Sequence, residues 1–162
     1  MHEQEIKVGI AQWRVARAPY WLVTLGLGSC VGVALYDPLG RLGGLAHIML
    51  PDSRQFPGQQ NPGKFADSAL PVLVAEMERY GAGRTRLVAK LAGGAQMFNF
   101  SQGTSLLNIG QRNIAAVRQT LEELGIRVAG EDTGGHVGRT MMLNTGNGEV
   151  YVRSIGRPVK II

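Results

Sequence analysis

The sequence predicts an α+β domain of mixed β-sheets with flanking helices. Three observations lead there. Short runs of period-two hydrophobicity fill the first fifty residues, which is the pattern of half-buried or buried strands. Two later stretches carry apolar residues at helical spacing. Glycine is abundant, with 23 in 162 residues, which argues for many turns and close backbone approaches and against a helical bundle. Hydrophobic content of 44% and charged content of 18% are those of a globular chain with a core of its own, and the length suits a single domain over 1–162.

The elements follow in chain order. Ile6, Val8 and Ile10 alternate with Lys7, Gly9 and Ala11, predicting a strand over 5–14. Pro19 interrupts, and a second strand is expected from Tyr20 to Leu25. Gly26 and Gly28 break it. Cys30 to Tyr36 is β-rich, with Val31, Val33 and Leu35 on one face. Asp37-Pro38-Leu39-Gly40 has the residue order of a type I turn. Leu42 to Leu50 is the return strand, so Cys30 and His47 lie on two arms of one hairpin. With Pro38 and Leu39 alone as the loop, Cys30 and His47 would face each other directly. A three-residue loop with a bulge would shift the register by one, and a second bulge at Gly43-Gly44 would restore it.

Residues 52–61 read as a polar loop forming a rim after His47. Asn61-Pro62 looks like a helix cap. Phe65, Ala69, Val72, Leu73, Glu76, Met77 and Tyr80 trace a largely apolar stripe closed by Gly81, with a kink expected at Pro71. A short strand over 87–92 runs into the glycine-rich loop Gly93 to Phe98, which lacks any phosphate-binding or dinucleotide fingerprint. Asn108 caps a second helix through Leu124, ended by Gly125. A strand over 126–129, a polar turn over 131–136 and a hairpin around Gly146-Asn147-Gly148 complete the reading.

Several function classes are disfavoured. The net charge of +5 is spread over scattered residues with no basic–aromatic interleaving, so nucleic-acid binding is not expected. No run is long enough to cross a bilayer, and residues 1–7 are polar, so no membrane insertion and a cytoplasmic setting are expected. His2, His47 and His136 are dispersed, without zinc spacing, and no metal or organic cofactor is expected.

The chemistry concentrates in Thr24-Leu25-Gly26-Leu27-Gly28-Ser29-Cys30. The sole cysteine sits among glycines that free the backbone, with a histidine on the facing arm. A lone cysteine is most often inert core. The conjunction with glycine and histidine is what points to a nucleophile. A neighbouring imidazole would lower the thiol pKa and return a proton to a leaving amine. Backbone amides near Gly28, Ser29 and Cys30 could hold an oxyanion. Thr24 is a candidate to orient the imidazole, and Ser29, Gly28 and Gln96 are candidates for contact with substrate.

At these residues the sequence resembles a known family. Gly26-Leu-Gly-Ser-Cys30-Val-Gly-Val-Ala-Leu-Tyr-Asp-Pro38 and Gly43-Gly-Leu-Ala-His47-Ile-Met-Leu-Pro51 resemble the CheD chemoreceptor glutamine deamidases. So do Lys64-Phe-Ala-Asp67, Ala89-Lys-Leu-Ala-Gly-Gly-Ala95, Ile109-Gly-Gln-Arg-Asn113 and Glu131-Asp-Thr-Gly-Gly135 through Arg139. The resemblance implies hydrolysis of selected glutamine side chains in methyl-accepting chemotaxis receptors, giving glutamate and ammonia. It places the catalytic cysteine, histidine and threonine on Cys30, His47 and Thr24. It also implies a layered α/β sandwich similar to the cytotoxic necrotizing factor hydrolase fold, and a CheC-type phosphatase as a partner of some members. The alternatives are a receptor- or regulator-docking module with dispensable catalysis, and a transglutaminase that passes the same thioester to an amine.

Overall fold

A computed structural model describes residues 4–58, 60–97 and 108–162. Phe98 of the predicted glycine-rich loop, Gln59 of the polar loop and His2 lie outside the described residues. Among the described residues, ten strands form two five-stranded sheets. The first holds β1 (Glu5–Lys7), β3 (Trp21–Leu27), β8 (Arg139–Asn144), β9 (Val150–Arg153) and β10 (Lys160–Ile161), in that spatial order. The second runs β2 (Trp13–Arg17), β5 (Leu42–Ile48), β4 (Val31–Asp37), β6 (Val88–Gly93) and β7 (Arg127–Thr133). Both sheets are mixed: β1 pairs parallel with β3, and β6 with β7, while the other pairings are antiparallel.

The layers follow from which side chains point where. On β4, Val31, Val33 and Leu35 face α1 (Ala66–Arg79) and α2 (Ile109–Leu124), joining Leu70, Leu73, Val117 and Leu121 in one core. From the other face of the second sheet, Ala34 and Leu45 meet Leu22, Leu27, Met141 and Leu143 of the first sheet in another core. Both faces of β4 and β5 are therefore covered, which is why every residue of both strands is buried. The architecture is an α+β sandwich of sheet, sheet and helices, as the sequence predicts.

The expected strand over 5–14 is two strands in two different sheets. A turn separates them, held by Gly9 N–H donating to Gln12 Oε1 at 2.9 Å and Gln12 N–H to the Gly9 carbonyl at 3.1 Å. Alternation alone cannot see that break, because Ile10 continues the apolar pattern in the sequence although it is 58% exposed in the turn, where Ala11 is buried instead. Asn61 caps a short 3-10 turn over 62–64 and not α1 itself, whose own cap position is Phe65. Pro71 lies inside α1. Asn108 occupies the N-cap position of α2 but makes no capping bond with its side chain. The strand expected over 126–129 extends as β7 through Thr133, taking in part of the predicted polar turn.

The β4–β5 hairpin has a register that the sequence reading did not reach. Asp37 pairs with Leu42 and Gly32 with His47, so the loop is four residues, 38–41, with Arg41 left-handed at φ 49°. Asp37 Oδ1 accepts from the amides of Leu39 and Gly40 at 3.0 and 3.3 Å, the turn chemistry expected of Asp. No bulge occurs at Gly43-Gly44. Relative to a two-residue loop the pairing moves by two positions, an even number, so His47 keeps the face on which Cys30 would have met it.

Candidate active site

His47 sits on β5, on the face turned toward the first sheet, and is fully buried. Thr24 sits on the inner face of β3 and is 1% exposed. Thr24 Oγ1 lies 2.7 Å from His47 Nδ1 and 2.7 Å from the carbonyl oxygen of Val8. A carbonyl only accepts, so the single Thr24 hydroxyl proton goes to Val8. The Oγ1 lone pair then accepts from His47 Nδ1–H. The relay Val8–Thr24–His47 crosses between the sheets and sets the imidazole tautomer. Nε2 is left as a bare lone pair, buried and with no hydrogen-bond partner among the described residues.

Cys30 ends the turn 28–30 that joins β3 to β4, and is partly buried. Because Gly32 opposes His47, Cys30 falls on the diagonal from the imidazole rather than directly across. The carbonyls of three successive residues are tied inward. Gly28 O accepts from Ala95 N–H at 2.8 Å, Ser29 O from Asn113 Nδ2 at 3.0 Å, and Cys30 O from Gly94 N–H at 2.8 Å. These peptide bonds are trans, so each carbonyl and the amide N–H that follows it point in opposite directions. The N–H groups of Ser29 and Cys30 are thereby turned away from the packed side of the turn. Gly93, at φ 111°, lets the partner strand come this close: a Cβ there would lie 2.2 Å from the Cys30 carbonyl oxygen.

Burial decides the protonation of both groups. Desolvation pushes the Cys30 thiol above its ordinary value of 9.0, and holds His47 down to about 4. The resting pair is neutral thiol and neutral imidazole. The sequence reading expects a neighbouring imidazole to lower the thiol pKa, whereas burial of Cys30 acts in the opposite direction.

Of the predicted substrate residues, Gly28 and Ser29 lie half-buried in the turn itself. Gln96 is half-buried in the segment that clasps the turn. Its N–H donates to Gly135 O at 2.9 Å, and its carbonyl lies 3.1 Å from His136 Nδ1. Asn113, fully buried, is the residue the sequence reading left without a role. A polar side chain within the apolar stripe of α2, one position before Ile114 and four before Val117, was the available signal. A cleft of about 500 Å³ opens between residues 51–55 and α2, lined by Asp52, Arg54 and Glu123 among others; Thr24, Cys30 and His47 are not in its lining.

Residues 49–154 match CheD, described as CheD chemotactic sensory transduction. The chain belongs to the CheD family. A protein of Moorella thermoacetica named "Probable chemoreceptor glutamine deamidase CheD" is 63% identical over 160 residues, covering 98% of this chain and 96% of the relative. Proteins of the same name from Clostridium novyi and Desulforamulus reducens are 51% and 53% identical, covering 100% and 98% of this chain and 100% and 95% of their own. Thr24, Cys30 and His47 precede the segment matched by the family but fall within reach of these near full-length similarities. No helix among the described residues is long and apolar enough to cross a membrane.

Proposed function

We propose that this chain is a protein-glutamine deamidase of chemotaxis receptors, acting as one unit over 1–162 through a Cys30 thioester. The observation that carries the chemistry is the bare, buried Nε2 of His47, fixed as an acceptor by Thr24. The substrate comes from the names of the full-length relatives.

The steps balance as follows. A receptor glutamine enters with its Cδ at Cys30. The thiol proton passes to His47 Nε2 as Sγ attacks Cδ, and the amide oxygen becomes an oxyanion held by the Ser29 and Cys30 N–H groups. The Nδ1–H···Thr24 bond steadies the imidazolium so formed. Nε2–H then protonates the amide nitrogen, the C–N bond breaks, and ammonia leaves a γ-glutamyl thioester. Water gives a proton to Nε2 and its oxygen to Cδ. The C–S bond breaks, Sγ recovers the proton, and glutamate remains. The diagonal Cys30–His47 placement is that of a free enzyme, in which catalytic hydrogen bonds are commonly long and tighten with substrate.

Ser29, Gly28 and Gln96 line the approach to the thiol. A CheC-type phosphatase is a second protein partner, and the setting is cytoplasmic. The test is peptide mapping by mass spectrometry of a receptor cytoplasmic fragment incubated with wild type and with Cys30→Ala. Glutamine-to-glutamate conversion with wild type alone is the expected result. Equal conversion by Cys30→Ala would sink the thioester mechanism, and binding without conversion would replace it with docking.

A further inference from the structure

We propose that Asn113 is a positioning residue for the oxyanion site: it sets the Ser29–Cys30 peptide plane, and so aims the Cys30 N–H at the tetrahedral oxygen. The inference rests on the deamidase reading for its natural substrate.

Asn113 is fully buried on α2, and both hydrogens of its Nδ2 are committed. One goes to the Ser29 carbonyl at 3.0 Å and the other to the Met49 carbonyl at 2.9 Å. Ser29 immediately precedes Cys30, and Met49 lies two residues beyond His47, so one side chain spans the backbone flanking both reactive groups. Its Oδ1 is buried without a partner among the described residues. A buried amide that leaves its acceptor unmatched is retained for its donors, since an apolar residue of the same shape would avoid that cost.

The helix is placed to make this reach possible. A Cβ on Gly110 would lie 2.5 Å from the Ala95 carbonyl oxygen and 2.6 Å from that of Gly94. The first turn of α2 therefore rests directly on the segment that clasps the Cys30 turn, and Asn113, three residues on, projects from the same helix face. Gly94 and Ala95 bind the carbonyls on either side of Ser29 through their own amides, leaving the Ser29 carbonyl as the one that a side chain must hold. Without that bond the Ser29–Cys30 plane is free to rotate, and its N–H loses its aim. The thiol and the imidazole are untouched, because Asn113 donates to neither.

The experiment compares wild type with Asn113→Leu and Asn113→Asp, using three readouts: receptor-fragment deamidation, acylation of Cys30 by p-nitrophenyl acetate, and alkylation of Cys30 by iodoacetamide. The first two pass through a tetrahedral oxyanion and the third does not. In the variants, kcat and the acylation rate are expected to fall by roughly one to two orders of magnitude, with KM and alkylation within about threefold of wild type. Parallel loss of alkylation and acylation, unchanged kcat, or failure of both variants to fold would overturn the inference in favour of a structural role. A wild type that is acylated at Cys30 but converts no receptor glutamine would overturn the deamidase reading alone, and the acylation comparison still decides the role of Asn113. A wild type with neither reaction overturns both.

Discussion

Burial keeps the His47 imidazole unprotonated well into acid. With its pKa held at about 4 and the Cys30 thiol raised, the proposed attack by Cys30 would require proton transfer at the moment of reaction rather than a standing thiolate–imidazolium pair. The expected kcat/KM profile therefore keeps its acid limb close to pH 4, and Cys30 alkylation by iodoacetamide rises only at alkaline pH. An acid limb at 6.5, or alkylation already at its plateau at neutral pH, would show a preformed ion pair instead. Thr24 acts on the same atom pair from the other side. Thr24→Val keeps the shape but loses the acceptor for Nδ1–H, so kcat is expected to fall about tenfold to a hundredfold. Thr24→Ser, which keeps the hydroxyl, should recover most of it. Equal activity in Thr24→Val and wild type would remove threonine from the mechanism. The proposed site residues were singled out in the sequence on different grounds: Cys30 by its flanking glycines, His47 by the facing hairpin arm, and Thr24 as a nearby hydroxyl, with the roles assigned by the family resemblance. Asn113 was not, because its partners are main-chain carbonyls some 64 and 84 residues away.

Among the elements, the β4–β5 hairpin carries the site at one end and its anchor at the other. Asp37 is fully buried and accepts from the amides of Leu39, Gly40 and Gly83, and from Arg86 through two bonds of 3.0 and 2.8 Å. The Arg86 pairing is the largest cause holding its pKa down to about 2. Asp37→Ala would remove the shared acceptor of three amides, while Arg86 stays partly exposed to water, a loss of about 2–4 kcal/mol in unfolding free energy by urea titration. The anchor lies seven residues from Cys30 along the chain, about 23 Å at strand rise. At temperatures where the variant is folded, kcat is therefore expected within about twofold of wild type, and a large fall in kcat would show that the hairpin end steers the site. The turn residues were readable here from Asp-Pro-Leu-Gly. The loop length was not, since Arg41 takes a left-handed conformation that its residue type does not announce.

Across the whole molecule, the relay Val8–Thr24–His47 spans the inter-sheet core, so the site and the stability of the sandwich are linked through one proton. The folded pKa of His47 is depressed from 6.5 to about 4, so the unfolded chain takes up the proton first. The contribution is present above pH 6.5 and is lost as pH falls toward 4, about 3 kcal/mol in total. Asp37 loses its share only between 3.8 and about 2, below that window. Thermal melts of wild type should fall steeply from pH 6.5 to 4, and those of His47→Gln more shallowly over the same range; parallel curves would refute the assignment. By itself the sequence determined the α+β class, the two long helices and most of the strands, and it singled out the three side chains proposed for chemistry, because periodicity, turn residues and residue type are local properties; it merged β1 with β2 and did not place β10. Only the tertiary structure decided the four-residue hairpin loop, the diagonal placement of Cys30, the neutral resting pair and the reach of Asn113. Each of these depends on which backbone lies across the core from which side chain, and on how much water that packing removes.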